Sequence, residues 1–294
     1  ERRSMSKIKT RFTRMFILGF KQFQDPFYQG FAAQISFYLV LSIVPTILLI
    51  TQILGLFGIS LESALALIED YTGKRMSGML MSLFEFSSVG AGNIVFIAVA
   101  LWAASRAAFA LMRITNYTLT DGKNTGKGYF AERFRAVKTM GITIITIVLS
   151  LVILAYGKLI LTAIVAALGL DPEIIVESTW LWLRWLLGFG LYFLMISYNY
   201  YILPTERVKY RKVIPGSVFA AVGLLVVTGF YSRYTTSLAD YDVLYGALSS
   251  VVAIMVGCYF LAWVLCLGVL FNKVWDDTSE PFSKMTPPAR GDRY

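Results

Sequence analysis

Long apolar runs alternate along the 294-residue chain with short polar stretches that are alternately basic and acidic. Six runs reach the roughly 20 residues of helix needed to cross a hydrocarbon layer. They are Phe31–Phe57, Ala91–Met112, Thr139–Leu168, Thr179–Leu203, Val213–Tyr234 and Tyr245–Phe271. The third is long enough to tilt, bend or project beyond the layer. Between the first two, the connection 58–90 carries Leu61, Ala64, Leu65 and Ile68, then Met79, Leu80, Leu83 and Phe84, at helical spacing. That pattern predicts one or two short external helices. In the leader 1–30, Ile8, Phe12, Met15, Phe16, Gly19 and Phe23 share a face while basic residues fill much of the rest. This is the pattern of an amphipathic helix lying on a membrane surface. The expected organisation is therefore a leader 1–30, a transmembrane domain 31–271 and a short disordered tail 272–294, which holds Pro281, Pro287 and Pro288.

Composition agrees. Hydrophobic residues make up 57% of the chain and charged residues 15%, against roughly 25% charged in a soluble domain. The mean hydropathy is +0.64. The fold class is all-α, a polytopic membrane protein built as a six-helix bundle. The first long apolar run lies behind a basic leader, which argues against a secretory signal peptide. Cys258 and Cys266 are about two turns apart in one run, too far for a disulfide within a helix. The chain has no histidine, which removes the commonest general base and metal ligand. No catalytic residue, metal site or cofactor is expected.

The net charge of +9 is a matter of topology first. The leader, the 113–138 and 204–212 connections and the tail together hold 21 of the 27 Lys and Arg, all on one side of the predicted bundle. The opposite connections hold acids instead, among them Glu62, Asp70, Asp171, Glu177 and Asp240. By the positive-inside rule both termini are cytoplasmic. The basic loops match no nucleic-acid-binding motif, so nucleic acid is not an expected partner.

Polar residues inside the spans carry the functional question. Gln34, Tyr38, Ser42 and Pro45 share one face of the first span, and Pro45 lacks the N–H that would bond the Leu41 carbonyl. Thr139, Thr143, Thr146, Ser150 and Gly157 form a comparable stripe in the third span. Small-residue seams run through Gly216, Ala220 and Gly223 and through Gly246, Ser250, Ala253 and Gly257. Close helix packing explains such seams without any ligand. The intramembrane charges are Arg106, Lys158 and Arg184, and no Asp or Glu lies within a predicted span. A charge at the centre of a span costs about 2.5–3.5 kcal/mol on insertion scales. Each cation has two readings: snorkelling to the nearest headgroups, or holding an external anion. Glu177 lies close to Arg184 as an interface partner, and Arg106 shares a face with Trp102 that permits a cation–π contact.

Several segments resemble one family. They are AAQISFYLVLSIVPTILL (32–49), LWAASRAAFALMRITNY (101–117), YILPTERVKYRKVIPGSVFAA (201–221), YGALSSVVAIMV (245–256) and LGVLFN (267–272). In this order and spacing they resemble the YihY/virulence factor BrkB family of bacterial inner-membrane proteins, once mislabelled as ribonuclease BN. The resemblance implies six spans with cytoplasmic termini in the inner membrane. It also implies roles of the kind proposed for members, in envelope integrity, serum resistance and movement of lipid or lipopolysaccharide precursors. Family members often carry an acid where this chain has Leu270, so a mechanism that needs a carboxylate there is in doubt for this protein.

The expected function is transport or flipping of an anionic lipid or lipid-linked envelope precursor. Arg106, Lys158 and Arg184 would meet the headgroup, with Gln34, Tyr38, Ser42, Pro45 and Ser105 along a polar path. Membrane lipids are then the partners, and Tyr198, Tyr200 and Tyr201 would anchor at the inner headgroups. The competing expectation is a non-transporting scaffold for an envelope or division complex, in which the polar face is packing. A P-loop for ATP-driven pumping is absent from the sequence.

Overall fold

The structure, a computed structural model, describes residues 13, 15–21, 23–59, 94–123, 126, 128–169, 171–206, 208–237 and 248–279. The predicted external helices fall at 60–90, almost wholly outside these residues. All regular secondary structure among the described residues is helical. Six helices are long and apolar enough to cross a membrane. They are α1 (Phe27–Leu56), α2 (Ile94–Leu119), α3 (Tyr129–Ala167), α4 (Pro172–Ile202), α5 (Tyr210–Ser237) and α6 (Leu248–Ser279). The chain is an all-α polytopic membrane protein.

Each helix packs on the next in sequence and α6 returns to α1, so the six close a ring. Across the ring α2 touches α6 and α1 touches α3. All six helices reach beyond at least one end of their apolar runs, chiefly at the basic end. There α2 continues seven residues past Met112, α3 begins ten before Thr139 and α6 runs eight past Phe271. Hydropathy marks only the part of a helix that sits in hydrocarbon. The flanking charged residues are good helix formers, so the backbone stays helical beyond it.

Local chemistry sets the helix ends. Before α1, the Asp25 carboxylate accepts the Phe27 N–H at 3.0 Å, with Pro26 between them supplying a preset φ. The other Asp25 oxygen accepts the Tyr117 hydroxyl at 2.8 Å, tying the start of α1 to the end of α2. At the far end of α1, Gly58 takes φ +69°. Its N–H bonds the Gly55 carbonyl at 3.1 Å, and the Ile59 N–H bonds that of Leu54 at 3.2 Å. This is a Schellman stop, in which glycine carries the left-handed residue without a Cβ penalty. Ile59 and Leu54 are buried in the same apolar cluster.

The small-residue seams are helix contacts. A Cβ on Gly216 would run into the Gly268 carbonyl and Asn272, and one on Gly223 would meet Val264 at 2.8 Å. On α6, Gly257 faces the Tyr231 ring, whose hydroxyl donates to the Ala253 carbonyl. Gly246 lies outside the described residues. Near the basic end of α5, Pro215 removes one helix donor, and the Gly216 N–H goes to Asn272 Oδ1 at 2.6 Å. The α3 stripe is packing too. Thr139, Thr146 and Ser150 donate to carbonyls of their own helix, while Thr143 accepts from Asn199 Nδ2 at 3.1 Å. Gly157 makes room for the Trp180 ring.

Other predicted positions fall differently. Tyr200 is a core residue, 1% exposed, whose hydroxyl donates to the Leu265 carbonyl at 2.7 Å, so it does not anchor at an interface. Tyr201 is exposed. The leader is helical at 13, 15–21 and 23. Met15 and Leu18 pack on the main core, Phe16 and Phe20 face outward, and Phe23 meets Trp263 at 5.2 Å.

Candidate functional site

Arg133 is the residue around which the site is built. It is the fifth residue of α3 and only 3% exposed. Its guanidinium lies 4.5 Å from the centroid of the Trp102 ring and 5.7 Å from that of Phe109. Nη2 donates to the Trp102 carbonyl at 2.5 Å, while Nε is sealed from solvent without an acceptor. Arginine suits this place because its flat, weakly hydrated cation stacks on aromatic faces. Arg106 stands beside it on α2, exposed, with its guanidinium 5.8 Å from the Tyr38 centroid. The sequence permits a stack of Arg106 on Trp102. In the structure Arg133 occupies that ring and Arg106 turns to α1. The two cations are close enough for the charge of Arg106 to act on Arg133.

No carboxylate among the described residues pairs with either arginine. Glu132 precedes Arg133, but consecutive residues on a helix do not share a face. Its carboxylate instead accepts from the Thr205 hydroxyl at 3.3 Å. Thr205 also exchanges bonds with Asn116, at 2.8 and 2.9 Å, and Arg135 donates to the Pro204 carbonyl at 2.7 Å. These contacts fasten the α4–α5 connection over the basic ends of α2 and α3, leaving the arginine pair to one flank. Phe37, Trp102, Tyr129, Phe130 and Phe134 are all exposed around it, an apolar rim of the kind that faces lipid.

The predicted site residues do not converge. Lys158 is 25 residues beyond Arg133 on α3, about 37 Å of helix rise away. It pairs with Glu177 at 3.9 Å, both side chains being well exposed. Arg184 is half-buried on α4, one turn from the Trp180 that packs at Gly157. It therefore belongs to the same far level as Lys158. A headgroup cannot touch all three cations together.

Along the predicted polar path, Ser42 and Ser105 are buried and donate to carbonyls three residues back, Leu39 at 2.9 Å and Trp102 at 2.7 Å. Such hydroxyls satisfy themselves within the helix. Because Ser42 bonds Leu39, its hydroxyl does not replace the donor that Pro45 denies to Leu41. Gln34, Tyr38 and Pro45 are half-buried. Further along α1, Thr46 Oγ1 and Gln52 Nε2 are enclosed without partners, a pair the stripe did not include.

A cavity of about 310 Å³ opens at the basic end, lined by Thr115, Tyr200, Lys209, Lys212, Asn272 and Lys273 among others. Much of its charge is internally matched. Lys212 bonds Asp276 at 2.6 Å, and Lys273 reaches both Asp121 and Asp277 at 3.3 Å. Among the described residues no group of three His, Cys, Asp or Glu could hold a metal ion. Leu270 is 4% exposed within the main core.

A closed ring of six helices, each long and apolar enough to cross a membrane, defines a polytopic membrane protein, with two arginines on its flank that pair with no described carboxylate. The chain belongs to the family described as Virulence factor BrkB, whose pattern it matches over residues 20–291. It is similar to the ribonuclease-like protein YfkH of Bacillus subtilis (strain 168), 24% identical over 83% of this chain and 88% of the relative. A UPF0761 membrane protein of Aliivibrio salmonicida (strain LFI1238) is also 24% identical, over 80% of this chain and 74% of the relative. A third, from Chlorobium phaeobacteroides (strain DSM 266 / SMG 266 / 2430), is 26% identical over 86% of this chain and 57% of the relative. No solved structure matches.

Proposed function

We propose that the protein moves or flips an anionic lipid or lipid-linked envelope precursor across the bacterial inner membrane, with both termini cytoplasmic. The observation that carries this reading is the couple Arg106 and Arg133, two cations at a lipid-facing surface with no carboxylate partner among the described residues. A buried cation without a counter-ion is costly, and an incoming headgroup supplies the missing charge. Thr46 and Gln52, roughly 12–21 Å of helix rise beyond Tyr38, hold enclosed polar atoms without partners on the far side of Pro45. The proposal gives the chain no catalytic role. Without histidine in the chain, and with no metal-holding acid cluster among the described residues, neither usual route to RNA hydrolysis is supported.

The test is reconstitution into liposomes with a fluorescent anionic lipid and a quencher that reaches only the outer leaflet. Protein-dependent movement that falls in Arg106→Gln is the expected result. Equal, background-level movement with wild type and variant would sink the reading. A scaffold is the second reading, favoured by the self-bonded Ser42 and Ser105 and by the close packing of α5 on α6. It predicts a stoichiometric co-purifying partner and no lipid movement.

A further inference from the structure

We infer that Arg106 and Arg133 form a lateral seat for the dianionic phosphomonoester headgroup of a lipid in the basic-end leaflet. This narrows the transport reading above and rests on it. The stoichiometry of charge comes first. Two guanidinium groups stand here, Arg106 at the Tyr38 ring and Arg133 at the Trp102 ring, and no described carboxylate offsets either. A phosphodiester, with one negative charge, leaves one cation uncompensated in a partly desolvated place. A phosphomonoester carries close to two negative charges at neutral pH, and adjacent cations favour its second ionisation.

Donor geometry points the same way. Arg133 is fixed by its stack on Trp102 and by the bond to the Trp102 carbonyl. That leaves Nε–H enclosed and without an acceptor. An enclosed donor of this kind is rare in folded proteins and gains most from an oxygen brought to it. Arg106 is exposed and approaches from α2, so one phosphate would bridge the exposed cation and the buried one. Guanidinium groups match phosphate oxygens with paired donors in a way an ammonium does not.

The rim identifies the source of the phosphate. Phe130 is 83% exposed and Phe134 73% exposed, with Trp102, Tyr129 and Phe37 open beside them. Acyl chains lie favourably on such a surface, and a free inorganic ion gains nothing from it. The matched lysines of the basic-end cavity offer no comparable excess of charge.

Native mass spectrometry of the full chain in lipid nanodiscs tests the seat. The probes are phosphatidic acid, phosphatidylglycerol with identical chains, and inorganic phosphate. Phosphatidic acid is expected to bind at least about tenfold more tightly than phosphatidylglycerol, a factor in keeping with one added charge-assisted contact. Arg106→Gln is expected to bring that preference to within about twofold without lowering the melting temperature, since Arg106 is exposed. Arg133→Lys, which keeps the charge and loses the planar stack, is expected to do the same. Equal binding of the two lipids by the wild type overturns the inference, as does a preference that survives both substitutions. Inorganic phosphate that competes as well as phosphatidic acid overturns the lipid assignment. A preference that stands while the liposome assay shows no movement removes transport and leaves the seat. Movement that stands without the preference removes the seat and leaves transport.

Discussion

Arg133 and Lys158 belong to one helix and meet opposite fates. Near the basic end of α3 a cation is walled in by Trp102 and Phe109 and pairs with no described carboxylate. Near the opposite end a cation stands in the open with Glu177 at 3.9 Å. The difference shows that an intramembrane charge is not one kind of feature. Where a carboxylate and open surroundings are within reach, the charge is ordinary interface chemistry. Where aromatic rings enclose it and no described acid arrives, ring faces and a backbone carbonyl are what offset it.

The largest effect is expected at the enclosed end. Arg133→Met should lower lipid movement in proteoliposomes at least about tenfold, because a charge-assisted contact is worth roughly 1.5–3 kcal/mol. Unchanged movement would erase the distinction between the two ends. Packing gives the next test. Gly216→Val drives a side chain into the Gly268 carbonyl, and overpacking of this kind costs about 1–3 kcal/mol. The melting temperature of the purified protein should fall clearly, while Gly188→Ala on α4, where a Cβ meets nothing within 4 Å, should leave it in place. Tyr200→Phe removes the hydroxyl that holds α4 to α6. Its cost should be near 0.6 kcal/mol and no more than about 1.7, the range for hydrogen bonds between membrane helices. Smallest of all is Lys158→Gln, which should shift stability by less than about 0.5 kcal/mol and movement by less than about twofold, as for an exposed pair. A Lys158 variant as damaging as the Arg133 one would break the comparison outright.

The six helices were legible because hydropathy is a property of long windows and survives local detail. Arg106 was legible as well, as a charge interrupting an apolar run. Arg133 was not, since it counted as one of six basic residues in a cytoplasmic connection. Its burial depends on rings contributed by α2, which no window along α3 contains. A weaker signal did exist. From Tyr129 to Met140 the chain has neither Gly nor Pro, and Phe130, Phe134 and Val137 recur at helical spacing, so the helix could be carried back to Gly128. The serines misled for the reverse reason. A hydroxyl on a stripe looks like a path, yet Ser42 and Ser105 each found an acceptor three residues back in their own helix. The polar atoms left open, on Thr46 and Gln52, look no different in sequence from those that are not.

The near-contact of the α5 and α6 backbones at Gly216 and Gly268 has a mechanical side. It sits seven residues into α5, leaving 21 residues, about 32 Å of helix, beyond it. Beyond it Gly223 rests on Val264, and the Tyr231 hydroxyl is bonded to the Ala253 carbonyl. The two helices are thus clasped at three levels and would have to tilt together, as one rigid blade.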